Sequence, residues 1–293
     1  MQFPEIMQIR KIRIGEFEFD CRVSGKEENE LIIFLHGFPE TSHMWINLMG
    51  KLASIGYFCV APDMRGYSKN ACPKGVKNYT LKKLSDDILN IAVAFNANKF
   101  HLVAHDWGAG IGWNIVYQNP KKIISWTALS VPHSNGFGKA IKMDKEQRKM
   151  SRYIGWFLFP IVPEIMLRKN DFEKFRKLWK HSSPEELNNY LSVFRRKYSL
   201  TAAINYYRAN FRKGKMEPIG DISIPTLFIW GKNDFAIGKV AAENNHKYMK
   251  GYYTFLELDG GHWLIQTNYL EVEQAIIEHL TKNKTALNNV YNN

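Results

Sequence analysis

Four short, nearly unbroken apolar runs, Leu31–Leu35, Phe58–Ala61, Phe100–Ala104 and Ile124–Leu129, constrain this chain more than any other feature. A strand reads that way only when both of its faces are buried, and a parallel sheet covered by helices is what buries both. The helical patterns Tyr79–Asn96 and Gly108–Gln118 between the runs supply the cover. Ahead of them, Met7–Ile14 and Glu16–Val23 alternate in polarity around Ile14-Gly15, as in an antiparallel edge hairpin. From Lys139 to Arg212 the strand signal vanishes, and Leu187, Tyr190, Leu191 and Phe194 fall at helical spacing among many charges. Strands resume at Thr226–Trp230 and Tyr253–Leu258, and an amphipathic helix covers Tyr269–Leu280. The expected class is α/β: an eight-stranded, mostly parallel sheet flanked by helices, with residues 1–133 and 216–293 forming the core domain and 134–215 an inserted helical cap.

The charge follows the same division. Of 40 Lys+Arg and 28 Asp+Glu in 293 residues, segment 139–215 holds 19 and 7, so it carries the whole net charge of +12 while the remainder is balanced. No recognition motif or basic–aromatic array accompanies the excess, so it is read as a property of the cap that steers anionic substrates or meets an acidic surface, not as nucleic-acid binding. Three cysteines without C-x-x-C spacing exclude a disulfide framework or zinc site and suit a reducing cytoplasm. The opening Met-Gln-Phe-Pro-Glu-Ile lacks the features of a signal peptide, and no run of about 18 apolar residues is present to span a bilayer. The Asn-rich tail after Lys282 is expected to fray. A cytoplasmic monomer or homodimer without cofactor or metal is expected.

In an open α/β sheet, ligands bind at the carboxyl ends of the strands. Phe100–Ala104 is followed by His105-Asp106-Trp107-Gly108-Ala109-Gly110, a strand–turn–helix with small residues around the turn. This matches a nucleophile elbow, in which the turn lifts one side chain and the next backbone N–H, that of Trp107, faces a developing oxyanion. The lifted residue is Asp106. A carboxylate suits attack on carbon, at a C–halogen bond or a strained ring, giving an alkyl ester; the plainer alternative makes Asp106 a helix N-cap. After Leu35 stand His36-Gly37-Phe38-Pro39, where the Phe38 N–H supplies a second oxyanion donor. Gly231-Lys232-Asn233-Asp234 follows Trp230, and Gly260-Gly261-His262-Trp263 follows Leu258. The order Asp106, Asp234, His262 is nucleophile, acid, histidine, the order this fold uses.

These motifs, with Glu40 and Trp45 after the first and Asp63-Met64-Arg65-Gly66-Tyr67-Ser68 between, resemble the α/β-hydrolase superfamily, and within it the soluble epoxide hydrolases. The resemblance runs from about Glu16 to Leu280. It implies two cap tyrosines that hold an epoxide oxygen, matched by Tyr153 in Arg152-Tyr153-Ile154-Gly155-Trp156-Phe157 and Tyr207 in Asn205-Tyr206-Tyr207-Arg208-Ala209-Asn210. Tyr206 lies about 100° around the helix from Tyr207, so one of the two faces the pocket, and the motif alignment selects Tyr207. Ala104 and Ala109 stand where relatives often have Gly. The implied reaction takes a small-molecule epoxide, with anionic epoxides among the expected substrates, to a diol: Asp106 attacks, Tyr153 and Tyr207 hold the oxygen, His262 oriented by Asp234 activates water, and Phe38 and Trp107 bind the oxyanion.

Several residues have plainer readings. Asp63 and Arg65 pin a loop, and His36 and His105 are structural hydrogen-bonders. The apolar run Tyr153–Val162 serves as pocket lid and cap core rather than as a membrane-facing patch. The nearest rival function is a haloalkane or haloacetate dehalogenase with the same Asp nucleophile, for which Trp156 or Trp179 would have to serve as halide donors. A ligand-binding α/β-hydrolase without turnover is the rival from a different class.

Overall fold

The computed structural model describes residues 7–212 and 218–284. Residues 1–6, 213–217 and 285–293, the last comprising most of the Asn-rich tail expected to fray, lie outside the described residues. Eight strands form one sheet: β1 (Gln8–Ile14), β2 (Phe17–Ser24), β3 (Glu30–Leu35), β4 (Tyr57–Pro62), β5 (Phe100–His105), β6 (Ile123–Leu129), β7 (Thr226–Gly231) and β8 (Tyr253–Leu258). Their order is β1-β2-β4-β3-β5-β6-β7-β8. β2 runs antiparallel to both β1 and β4, and every other pair is parallel. The four apolar runs occupy the middle of this order; β4 and β5 are buried at every residue. Such strands need cover on both faces, and helices supply it.

Those helices are α1 (Ile46–Ser54), α2 (Leu81–Ala94), α3 (Trp107–Gln118) and, at the end of the described chain, α12 (Tyr269–Lys282). α1 has no counterpart in the sequence reading. It buries Leu48, Met49 and Leu52 against β4, a narrow apolar stripe in a nine-residue helix. Between β6 and β7 the chain is helical: α4 (Ser134–Met143), α5 (Lys145–Met150), α6 (Arg152–Phe157), α7 (Val162–Leu178), α8 (Pro184–Phe194) and α9 (Ser199–Phe211). α10 (Lys239–Glu243), which packs on α4, and the single turn α11 (Leu264–Thr267) complete the described set.

Two local features of the helical segment depart from the periodicity of its sequence. α7 is broken at Lys169–Phe172, where Asn170, Asp171 and Phe172 adopt positive φ. The break turns Phe172 and Phe175 inward against Phe194. The run Tyr153–Val162 divides: Ile154 and Phe157 are buried, whereas Phe159, Ile161 and Val162 are exposed, so lid and core account for only its first half. α6 ends at Phe157, and the carbonyls of Phe157 and Phe159 both accept hydrogen bonds from Arg208 on α9, which holds the second half outside.

Candidate active site

The loops after β3, β5, β7 and β8 meet at the carboxyl ends of the strands. Asp106 joins β5 to α3 with φ +50° and ψ −118°, a strained conformation for any residue with a Cβ. Two glycines make room for it. A Cβ on Gly37 would stand 2.3 Å from the Asp106 Cβ, and one on Gly108 would stand 2.4 Å from the Leu35 carbonyl oxygen. Asp106 forms no side-chain cap on α3. Its Oδ1 instead accepts a 2.7 Å hydrogen bond from the Phe38 N–H, on the loop carrying the cis Phe38–Pro39 bond. Trp107 begins α3, so its N–H belongs to the unpaired first turn beside the same carboxylate.

His262 lies between two carboxylates. Its Nδ1 is 2.7 Å from Asp234 Oδ2, and its Nε2 is 3.5 Å from Asp106 Oδ2. Asp234 is fixed in turn by the N–H groups of Ala236 and Ile237, which donate to its Oδ1 at 2.7 and 3.0 Å. Burial alone would push the His262 pKa down; the charges and hydrogen bonds of Asp234 and Asp106 outweigh it and carry the value up to about 10. Burial would likewise raise Asp106, but the hydrogen bond and charge of His262, with the Phe38 N–H, hold its carboxyl below the usual range. The resting pair is therefore carboxylate and imidazolium.

Tyr153 from α6 and Tyr207 from α9 stand across the cavity, with ring centroids 6.1 Å apart. Both line it together with Asp106 and His262. Burial, then neighbouring acidic groups including Asp106, pushes both phenols above their ordinary range, so both stay protonated as donors. The adjacent Tyr206 turns the other way and donates to the Arg65 carbonyl at 2.7 Å, packed against Tyr67 and Tyr79. The cavity has two lobes. A throat of about 40 Å³ passes Trp113, Val131, Phe137 and Ile154, and a lobe of about 260 Å³ is walled by Phe157, Leu167, Phe175 and Trp263. Through Phe137, Ile154 and Phe211 the throat adjoins an outer cleft of about 530 Å³ that includes Lys139 and Lys142. Neither Trp156 nor Trp179 lines either lobe. Among the described residues, no cluster of three or more His, Cys, Asp or Glu is disposed to hold a metal ion.

Ser130, Glu40 and Gln266 carry no assigned role in the sequence reading, whereas His105 is expected there as a structural hydrogen-bonder. The His262 carbonyl oxygen accepts from Ser130 Oγ at 2.8 Å and lies 2.9 Å from His105 Nε2. Behind His105 Nδ1, at 3.3 Å, is the buried Glu40, whose Oε1 accepts from Gln266 at 2.7 Å. Burial raises the Glu40 pKa, with His105 opposing. Ser130 directly follows β6, and applying the strand-end rule to that strand as well would have found it. The loop residues behave as structural pins: Asp63 accepts from the Ser42 N–H and hydroxyl at 2.9 and 2.7 Å, and Arg65 forms a buried bidentate pair with Asp87 at 2.7 and 2.6 Å.

The α/β hydrolase fold model matches residues 30–269. The chain is 34% identical over 261 residues to mouse epoxide hydrolase 3, a match covering 86% of this chain and 70% of that protein. It is 32% identical over 265 residues to the Bacillus subtilis AB hydrolase superfamily protein YfhM, covering 88% and 92%. The crystal structure of a Bacillus megaterium epoxide hydrolase bound to an inhibitor superposes with a TM-score of 0.85 at 26% identity, covering 93% of this chain and all of that one. Taken with the elbow, the histidine loop and the strand order, these matches make the chain a member of the epoxide hydrolase-like family of α/β-hydrolases.

Proposed function

We propose that the protein opens epoxides to vicinal diols through a covalent ester on Asp106. The observation that carries this reading is one cavity in which an ionised Asp106 faces His262 on one side and two protonated tyrosines on the other. Relatives at this similarity named as epoxide hydrolases support it. Asp106 attacks a ring carbon and the C–O bond breaks. Tyr153 and Tyr207 donate hydrogen bonds to the departing oxygen, whose charge grows only in the transition state. The alkoxide takes a proton by way of the tyrosines from His262, which is left neutral. Esterification has meanwhile removed the Asp106 charge, which together with Asp234 held His262 protonated, so the imidazole can now act as a base.

Oriented by Asp234, His262 takes a proton from water, and the hydroxide attacks the ester carbonyl. The N–H groups of Phe38 and Trp107 hold the oxyanion. Collapse breaks the ester C–O bond, the departing alkoxide takes the proton of the newly added hydroxyl, and diol, carboxylate and imidazolium result. No cofactor or metal takes part in these steps. In this reading residues 134–215 are a cap domain and the remainder a hydrolase core. Cys21, Cys59 and Cys72 form no disulfide among the described residues, which supports a reducing, cytoplasmic setting. The dehalogenase alternative is disfavoured because the cap tryptophans stand away from both lobes.

A single turnover in ¹⁸O-enriched water, followed by peptide mass spectrometry, tests the proposal over a panel of epoxides, haloalkanes and fluoroacetate. Label in the Asp106 peptide together with diol product is expected. Halide release without epoxide turnover would overturn the reading.

A further inference from the structure

The loop between α6 and α7, with the start of α7, holds apolar side chains out in solvent. Phe159, Ile161 and Ile165 are 60%, 66% and 65% exposed, with Val162 and Met166 exposed beside them. A chain free to move would fold such a cluster inward. Here the backbone is fastened. The buried Arg208 donates to the carbonyls of Phe157 at 3.1 Å and Phe159 at 2.6 Å, and pairs with Glu164 through two hydrogen bonds of 2.7 and 2.9 Å. Pro160 and Pro163 fix φ on either side of Ile161. Ile161 itself stands at φ +67°, a costly conformation for a β-branched residue.

The surroundings are basic. Exposed Arg152, Arg168, Lys169 and Lys174 flank the loop within the segment that carries the whole +12. The neighbouring acids are already paired: Glu164 with Arg208, Asp171 with Arg176 and Arg195, Glu173 with Lys177.

We propose that this face docks peripherally on an anionic membrane surface. The apolar side chains enter the boundary between headgroups and acyl chains, and the Lys and Arg residues around them meet lipid phosphates. Among the described residues no helix is long and apolar enough to cross a membrane, so the contact is one face deep. A second copy of the chain fits this face less well, because pairing like faces would oppose two strongly basic segments. Leu158, at the start of the loop, also lines the outer cleft, so docking brings that entrance to the lipid.

The test is co-sedimentation of the full chain with vesicles of phosphatidylcholine and phosphatidylglycerol at roughly 3:1, against phosphatidylcholine alone, in about 0.1 M and about 0.5 M NaCl. At least tenfold tighter binding to the anionic vesicles, weakened by the higher salt, is expected. Because each large apolar side chain contributes on the order of tenfold when buried, the double variant Phe159→Ser, Ile165→Ser should bind at least tenfold more weakly. Neither residue lines the cavity, so turnover of a water-soluble substrate and the melting temperature should not change. Absence of binding to anionic vesicles, or equal binding by the double variant, overturns the proposal. So does a concentration-dependent dimer that the double variant abolishes without any vesicle binding.

Discussion

Replacing Asp106 with Asn imitates the charge change that esterification would produce, without any substrate. The side chain keeps its size while the negative charge 3.5 Å from His262 Nε2 disappears. With an effective dielectric near 20, a unit charge at that distance is worth roughly 5 kcal/mol. At about 1.4 kcal/mol per unit, the His262 pKa should fall by about 3 units. It starts at about 10, so the variant should titrate near 7, where the group can serve as a base at neutral pH. The assay is a ¹⁵N-histidine NMR titration of wild type and Asp106→Asn over pH 5 to 11, with the His262 signal among nine histidines assigned by its loss in His262→Gln. A fall of less than about one unit, or any rise, would refute the claim that Asp106 controls the protonation of its own partner.

The same charges govern stability. The His262 pKa is raised on folding, so its contribution is fully present below the unfolded value near 6.5 and lost as pH rises through about 10. The melting temperature of wild type should therefore fall between pH 7 and 10, and that of Asp106→Asn should fall much less; parallel curves would contradict this. Adjacent tyrosines should separate by assay. Tyr207→Phe removes what the proposed mechanism makes a donor to the leaving oxygen, and should slow ring opening by about 10²-fold with ester hydrolysis nearly unchanged, as read by pre-steady-state burst kinetics. Tyr206→Phe loses the buried bond to Arg65 and should cost about 1–2 kcal/mol in urea unfolding while leaving kcat intact. Arg208→Met strands Glu164 and two carbonyls and should destabilise the fold by about 3–5 kcal/mol, measured by the shift in denaturation midpoint.

Much of the frame was written in the sequence because burial on both faces leaves a mark that needs no partner to interpret. Leu31–Leu35 and Phe100–Ala104 appear as β3 and β5 with at most a residue added at an end, and the strand-end loops bring Asp106, Asp234 and His262 together. What stayed hidden depends on distant partners. Nothing local to Phe159 announces that Arg208, 49 residues later, will hold its carbonyl and leave its ring outside. The inward turn of Tyr207 rather than Tyr206 follows from where Arg65 and Tyr79 lie, which no helical period encodes. The break in α7 is equally non-local: three consecutive residues at positive φ accompany the packing of Phe172 and Phe175 against Phe194. Glu40 sits in a motif that was read, yet its pairing joins the loop after β3 to His105 at the end of β5.

In the mechanism proposed above, with Asp106 as the nucleophile, the unequal lobes beside it bear on regiochemistry. A substrate whose ring rests on the carboxylate sends one substituent through a throat of about 40 Å³ and the other into a lobe of about 260 Å³. A slender chain fits the first and a branched or aromatic group the second, so the substituents choose which ring carbon meets Asp106. Attack inverts configuration at that carbon alone. Widening the throat at Ile154 would therefore change which enantiomer of the diol is formed before it changed how fast diol is formed.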